Sequence, residues 1–497
     1  MLRISDVEVR KRLDIDNPWW TEARPPERVQ TWKERLYLPL LFDLVAQTRP
    51  NRAIVVMGPR RVGKTVMLFQ TIYKLIASGV DPKTICYAAV DNPVYTGRSL
   101  DSLMALFMSA HGHKRRQRLY VMFDEIQYVP DWERHLKSLV DTYPDMRFVA
   151  SGSAAAALKR KSDESGAGRF SDFVVPPLTF LEFLLFRDLD PSLLGGAEMD
   201  EELLAYLNYG GFPEATVDES IQHSMSQFVA NDIIDKVLLR DIPSLYGIAD
   251  PQELKRFFSF LAYNTGQEVN VDELAKETGI TKNTLRKYLE YLEAAFLIRV
   301  LHRVDFSNKL FSRHSRFKIY LTNPSIRVAL YGEPSAEATG PLVETAVACQ
   351  LLNGQRPNYR FHYVRSASGA LGEVDFVAFR SGKQGPVDAF EVKWTPRPLS
   401  SLSRDFSGLV YYAQRSRLKR GYVLKRGDYE SIKVDGIELQ TLPIADFLIT
   451  EGSFSLTQES TRRRPPTDGP SDSVKRLAPW SLATFRRKPG IPWPLSS

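Results

Sequence analysis

The chain changes its hydrophobic period just after residue 53. Ile54-Val55-Val56 is a continuous β-branched run that suits a buried strand, and Val66-Met67-Leu68-Phe69 through Leu75-Ile76 reads as a helix. The alternation then repeats. Residues 84–90 read as a strand, 100–110 as a helix, 118–125 as a strand ending in two acids, 131–140 as a helix and 146–153 as a strand. Strand and helix in turn predict an α/β domain with a parallel sheet. Upstream, Trp32, Leu36, Leu40 and Leu44 predict a helix over 31–48 that packs on this domain or shapes a base pocket. Asn17-Pro18-Trp19-Trp20 reads as a turn. From 199 to 249 the pattern is helical, broken at Gly210-Gly211-Phe212-Pro213, and Arg240-Asp241-Ile242 is expected to make structural contacts.

The junction between the first strand and its helix carries chemistry. Gly58, Pro59, Arg60, Arg61, Val62, Gly63, Lys64 and Thr65 spell GxxxxGK(S/T), the P-loop pattern. A triphosphate is held mostly by backbone N–H groups ahead of a helix N-terminus, and Gly58 and Gly63 permit the chain to wrap that closely. Lys64 then reaches the β- and γ-phosphates, and the Thr65 hydroxyl ligates Mg²⁺. One βα unit later, Asp124 is placed to hold Mg²⁺ and Glu125 to polarise the attacking water. Ser151 or Ser153, at the next strand end, either orients that water or caps a helix.

Composition narrows the class. A chain of 497 residues suggests two to four domains, and 43% hydrophobic with 25% charged residues is globular. The N-terminus has no continuous apolar run of the secretory kind, and no stretch of about 18 uncharged apolar residues occurs. A cytoplasmic protein without membrane contact is expected. Cys86 and Cys349 are read as buried reduced thiols. The net charge of +7 is misleading: from residue 461 onward eight basic residues face two acids, so the body is nearly neutral and any DNA contact must come from local patches.

The runs GPRRVGKT, DEIQYVPDWE, FVASGS, Gly168-Arg169-Phe170, PLTFLEFL and GGFPEA resemble the AAA-type ATP-binding proteins of bacteria and archaea, over roughly residues 53–442. The resemblance implies an ATPase domain, then a winged helix, then a C-terminal domain with a nuclease-like fold. Arg169, in that family's Gly-Arg position, is either a sensor or arginine finger, within one subunit or across a homo-oligomer, or a structural partner of Asp172 or Glu164. Residues 251–311 resemble the winged helix. Its third helix, 281–292 with Thr281 as N-cap, offers Lys282, Asn283, Arg286 and Lys287 to a major groove, against a docking role suggested by Glu290 and Glu293. Asn323-Pro324 stands where the family more often has an Asp-containing loop.

A second constellation follows. Glu344 lies on an apolar helix (340–352), Asp375 on a strand (372–377), and Glu391 and Lys393 on another (389–394). This is the pattern of the PD-(D/E)XK nuclease superfamily. Spacing of i, i+2 puts Glu391 and Lys393 on one strand face. Asp375, Glu391 and Glu344 would grip Mg²⁺ while Lys393 activates water.

The expected fold is therefore α/β: a helical preface (1–50), a P-loop parallel-sheet ATPase core (51–195), a helical lid (196–250), a winged helix (251–322), a restriction-endonuclease-like domain (323–450) and a disordered basic tail (451–497). The expected ligands are ATP, Mg²⁺ and nucleic acid, with DNA favoured. The leading reading is an ATP-hydrolysing, Mg²⁺-dependent DNA-processing enzyme, in genome defence or mobile-element maintenance. Its rival is a nucleotide-switched DNA- or protein-binding ATPase whose nuclease fold is silent, and a third reading is a signalling ATPase that binds protein alone.

Overall fold

Ala53–Met57 (β1) is buried along its whole length, as a strand covered on both faces must be. The computed structural model that shows this describes residues 4–22, 25–47, 49–152, 168–308, 316–353, 358–365 and 372–452. Ser153, Glu164 and the expected tail beyond residue 452 lie outside them. The chain forms two compact units: one runs to Pro176 and adds Arg240–Ala249 and Ala294–Phe296, and the other takes the remainder.

In the first unit β1 lies in a five-stranded sheet with Ile85–Ala89 (β2), Tyr120–Asp124 (β3), Arg147–Gly152 (β4) and Phe170–Val174 (β5), in the order β2-β3-β4-β1-β5. Every pairing is parallel. The sheet is thus the expected one, and the C-terminal ends of β1, β4 and β3 come side by side. The edge of β2 is closed by the N-terminal segment. Asn17 exchanges two hydrogen bonds with the Tyr87 backbone (2.6 and 2.8 Å), and the indoles of Trp19 and Trp20 both donate to Ile85 O. An open strand edge is an aggregation template, and the turn at Asn17 to Trp20 covers this one.

The helix expected over 31–48 is shorter, Leu38–Ala46, with Pro39 in its first turn. Proline lacks the N–H that a helix interior needs and crowds the preceding turn, so the helix starts where Pro39 is tolerated. The buried positions are Leu38, Leu40, Leu41 and Val45, so Leu40 is buried as its spacing predicts, while Leu36 and Leu44 are only half-buried. Trp32 sits outside the helix, against Phe69 with ring centroids 6.3 Å apart, and lines a cavity of about 240 Å³. Cys86 and Cys349 are both buried and free.

The second unit holds a nine-stranded sheet. Its first part is built by helix Pro251–Tyr263, strand Glu268–Asn270 (β6), helices Val271–Thr278 and Lys282–Ala294, and strands Ile298–Val304 (β7) and Arg316–Leu321 (β8). Thr281 Oγ1 accepts from the Thr284 N–H, as an N-cap does. β8 pairs antiparallel with both β6 and β7. The sheet continues through Tyr359–Arg365 (β9), parallel to β7, then Glu373–Arg380 (β10), Pro386–Lys393 (β11) and Arg420–Lys425 (β12). Ser431–Val434 (β13) and Ile437–Pro443 (β14) finish it. Helix Ala336–Asn353 packs on β8 and β11. Residues 180–207 lie in the same core as Leu342, Val347 and Phe390, so the helices that begin at Phe180 belong to this unit. Among the described residues no helix is long and apolar enough to cross a membrane.

Asn323 ties two of these parts together. Its buried amide donates to Gly210 O at 2.9 Å and accepts from the Ser325 N–H at 3.1 Å, and Ser325 Oγ also donates to Gly210 O. Gly211, at φ +87°, has no room for a Cβ because the Asn323 side chain fills that space. Replacing Asn323 by Ala leaves the Ser325 amide without its acceptor and should cost the unit about 1–3 kcal/mol, measured as a lower denaturation midpoint of this unit.

Candidate functional site

The phosphate loop is shaped by positions that other residues tolerate poorly. Gly63, at φ +90°, caps helix Lys64–Ala77, and Arg61 is left-handed at φ +64°. A Cβ on Gly58 would collide with the carbonyl oxygen of Val175, because β5 continues past the loop. Arg35, 2% exposed, braces the loop from outside by donating to Val62 O (2.7 Å) and Pro176 O (3.0 Å).

Lys64 is buried, and its ammonium donates to Gly58 O at 3.0 Å and Pro59 O at 2.6 Å. Burial pulls its pKa down, against the opposing fields of Glu125 and Asp124. Arg60 makes a two-pronged ion pair with Asp241, both contacts 2.9 Å. Burial works against its charge, but Asp241 outweighs that and holds the guanidinium firmly protonated. Asp241 thus makes the structural contact expected of it, and makes it with the loop.

Asp124, 3% exposed, is the hub of the site. Its Oδ2 accepts from Thr65 Oγ1 at 2.7 Å and from the Tyr87 hydroxyl at 2.8 Å, and its Oδ1 accepts from Ser151 Oγ. Ser151 Oγ also accepts the Glu125 backbone N–H at 3.3 Å, so Ser151 is bonded to the carboxylate of Asp124 and to the main chain of Glu125. Glu125 turns off the strand at φ +55°, an uncommon conformation for a non-glycine residue, and Gln127 donates to its carboxylate. Burial raises the Glu125 pKa, and Asp124 adds to the rise against Lys64. The hydroxyl of Thr65 and the carboxylate of Asp124 form a hard-oxygen pair of the kind Mg²⁺ takes together with phosphate oxygens.

Arg169 is placed elsewhere. It precedes β5 beside Ala53, whose N–H donates to Arg169 O at 2.9 Å. That is the start of β1, on the order of 13 Å of strand from the loop. Arg169 pairs there with Asp141, and both are half-exposed. Within one chain it does not join the phosphate site. Of the two acids named from the sequence, Glu164 lies outside the described residues, and Asp172 is not the partner in this ion pair.

The C-terminal constellation does assemble, in the second unit. Asp375 Oδ2 accepts the Val392 N–H at 2.9 Å, which fixes β10 and β11 in register beside Glu391. Lys393 stands 3.9 Å from Glu391 and is half-exposed. Sequence reasoning missed a third party, Lys318 on β8. Its ammonium donates to Glu344 Oε1 (2.8 Å) and Asp375 Oδ1 (3.0 Å) and pairs with Glu373, and it is itself buried. Tyr320 donates to the same Glu344 oxygen at 2.6 Å. Burial disfavours the Lys318 charge, but Glu344, Tyr320, Asp375 and Glu373 together push its pKa well up. Burial, reinforced by Asp375, raises Glu344 and Glu391, and Glu391 Oε2 is buried with no hydrogen-bond partner among the described residues.

Lys318 decides whether these residues fit a divalent ion. A site for Mg²⁺ needs converging oxygens around a free point. Here an ammonium stands between Glu344 and Asp375, and no group of three or more His, Cys, Asp or Glu among the described residues is arranged to hold a metal. The residues do not fit. Lys318 left no signal in the sequence, where Phe317-Lys318-Ile319-Tyr320 is an ordinary strand.

Comparison with known proteins divides the chain into three successive stretches. A model of the AAA domain matches residues 50–184, and two models described as domains of unknown function (DUF8612 and DUF4143) match 200–337 and 339–445. The uncharacterized protein Rv2008c of Mycobacterium tuberculosis is 30% identical over 381 residues, 74% of this chain and 76% of that one. An uncharacterized protein of Haemophilus influenzae is 26% identical over 405 residues, 80% of this chain and 94% of that one. Among solved structures, AMPPCP-bound DnaA from Aquifex aeolicus is 12% identical, over 56% of this chain and 92% of that one, with a TM-score of 0.29, a likeness too distant to support any argument.

Replacing Gly58 by Ala should abolish measurable binding of a fluorescent ATP analogue, because loop or strand must shift to admit the methyl group. Gly196→Ala, where a Cβ meets nothing within 4 Å, should leave binding unchanged.

Proposed function

We propose that this chain, which carries an AAA domain and belongs to one family with the uncharacterized protein Rv2008c of Mycobacterium tuberculosis, is a Mg²⁺-dependent ATP hydrolase that binds DNA. The observation that carries the reading is the node of Thr65, Asp124, Ser151 and Glu125 at the ends of three adjacent parallel strands, with Lys64 beside it.

The loop amides from Gly58 to Thr65 would receive the phosphates, and Lys64 and Arg60 would neutralise their charge. Thr65 and Asp124 would hold Mg²⁺, which when bound withdraws charge from the β- and γ-oxygens. Glu125 is the base for the lytic water. Ser151, bonded to the first acid and to the backbone of the second, keeps the two apart. Arg60 is shared with Asp241, so phosphate arriving at the loop competes for the guanidinium. That competition is a route by which nucleotide reaches the segment Arg240–Ala249.

For DNA, helix Lys282–Ala294 is the candidate reader, and the helix-strand-helix-helix-strand-strand order of 251–321 supports a winged helix. Lys282, Asn283, Arg286 and Lys287 are all exposed. Lys282 is partly engaged, 2.5 Å from Asp272, which leaves Arg286 and Lys287 as the stronger phosphate contacts. The C-terminal part is a nuclease-like fold without the chemistry, because its acids are already neutralised from within.

Glu125→Gln should keep ATP binding and lower kcat by about 10²–10⁴-fold in a phosphate-release assay, whereas Lys64→Ala should lose binding itself. Hydrolysis undiminished in both variants would refute the assignment. Exchanging Arg286 and Lys287 for Ala should weaken DNA binding and reduce the slope of log K against log[salt] by about one for each DNA phosphate that is no longer neutralised. An unchanged slope would move the DNA contact to another surface.

A further inference from the structure

Lys318 is on β8, one strand in from the β7–β9 pairing that joins the two parts of the sheet, and its ammonium lies among acids from three further elements. Glu344 comes from helix Ala336–Asn353, and Glu373 and Asp375 come from β10. Glu391, on β11, adds its field to the cluster without a direct bond to Lys318. Glu344, Asp375 and Glu391 are the carboxylates that the sequence pattern assigns to a divalent ion. An ammonium with three donors can satisfy three carboxylate oxygens, here Glu344 at 2.8 Å, Asp375 at 3.0 Å and Glu373, but it is covalently attached and brings no activated water.

We propose that Lys318 is a built-in substitute for the divalent ion, so that the C-terminal carboxylates take up no metal and the domain serves as a rigid platform instead of a nuclease. The inference rests on the nuclease-like reading of this fold and says why that fold would be silent.

The surrounding charges fit a platform. Glu268 on β6 is paired with Arg303 on β7 (3.7 Å), Arg316 on β8 (3.4 Å) and Arg365 on β9 (3.7 Å), and Tyr363 donates to it at 2.8 Å. Arg365 lies 3.6 Å from Glu373, which itself pairs with Lys318. One chain of opposite charges therefore runs from β6 through β9 to β10. Taking Lys318 out would leave buried carboxylates facing one another around a space of cation size, a situation that a divalent ion relieves.

The test uses the full chain carrying Thr65→Ala, which removes a metal ligand at the phosphate loop, with Mn²⁺ as probe, no nucleotide, and electron paramagnetic resonance as readout. This parent should bind no Mn²⁺ at the C-terminal site. Adding Lys318→Met should create one site, at least about tenfold tighter than any residual binding, and adding Asp375→Asn to that should remove it. A folded Lys318→Met chain that gains no Mn²⁺ overturns the proposal. So does a parent that already binds one Mn²⁺ sensitive to Asp375→Asn. If Lys318→Met fails to fold, Lys318→Met with Glu344→Gln removes one stranded charge and keeps Asp375 and Glu391 for the same titration. A plasmid-cutting assay on the unmodified chain separates the two readings. Cutting that Asp375→Asn abolishes refutes the silent domain and the substitute cation together. No cutting, with no Mn²⁺ gained by Lys318→Met, refutes the substitute cation alone.

Discussion

A charge taken out of water must meet an opposite charge or a set of hydrogen-bond donors, and each unit of this protein is arranged around one such demand. In the first unit it is Asp124. Four groups satisfy it: the hydroxyls of Thr65, Tyr87 and Ser151 and the N–H of Glu125. A buried carboxylate without such donors is costly, so these four bonds are what allow Asp124 to sit at the strand ends. The parallel sheet exists, from the point of view of function, to bring the ends of β1, β3 and β4 close enough for this to happen.

In the second unit the demand is reversed. Lys318 is a buried cation, and the acids around it supply the opposite charge. Buried ion pairs seldom add net stability, because desolvation cancels most of the attraction, but breaking one is costly. The cluster is therefore better understood as fixing geometry. It sets β8 against β10 and helix Ala336–Asn353, so the two halves of this unit share one sheet and one network of charges.

The two sites differ in what holds their parts. The phosphate site is local: Gly58, Lys64 and Thr65 lie within one loop, and only Asp124, Glu125 and Ser151 come from other strands. Its strained positions, Arg61 and Glu125 at positive φ, are held by the surrounding packing. The C-terminal cluster is assembled from four separate elements, with 57 residues between Lys318 and Asp375.

That difference explains what could be read from the sequence. The phosphate loop, its helix, the acidic strand end and the order of strand and helix were legible, because each is written in consecutive residues whose spacing is imposed by backbone geometry. Glu391 and Lys393 were legible as a face of one strand for the same reason. The trimmed helix after residue 31 was decided by Pro39 against a hydrophobic spacing that pointed the other way. The tertiary structure alone decided that Arg169 sits at the far end of β1, that Asp241 holds Arg60, and that Lys318 stands among the acids. A lysine in a strand has the same local appearance whether it faces water or a buried carboxylate, since only the partner brought by the fold determines which ion it meets.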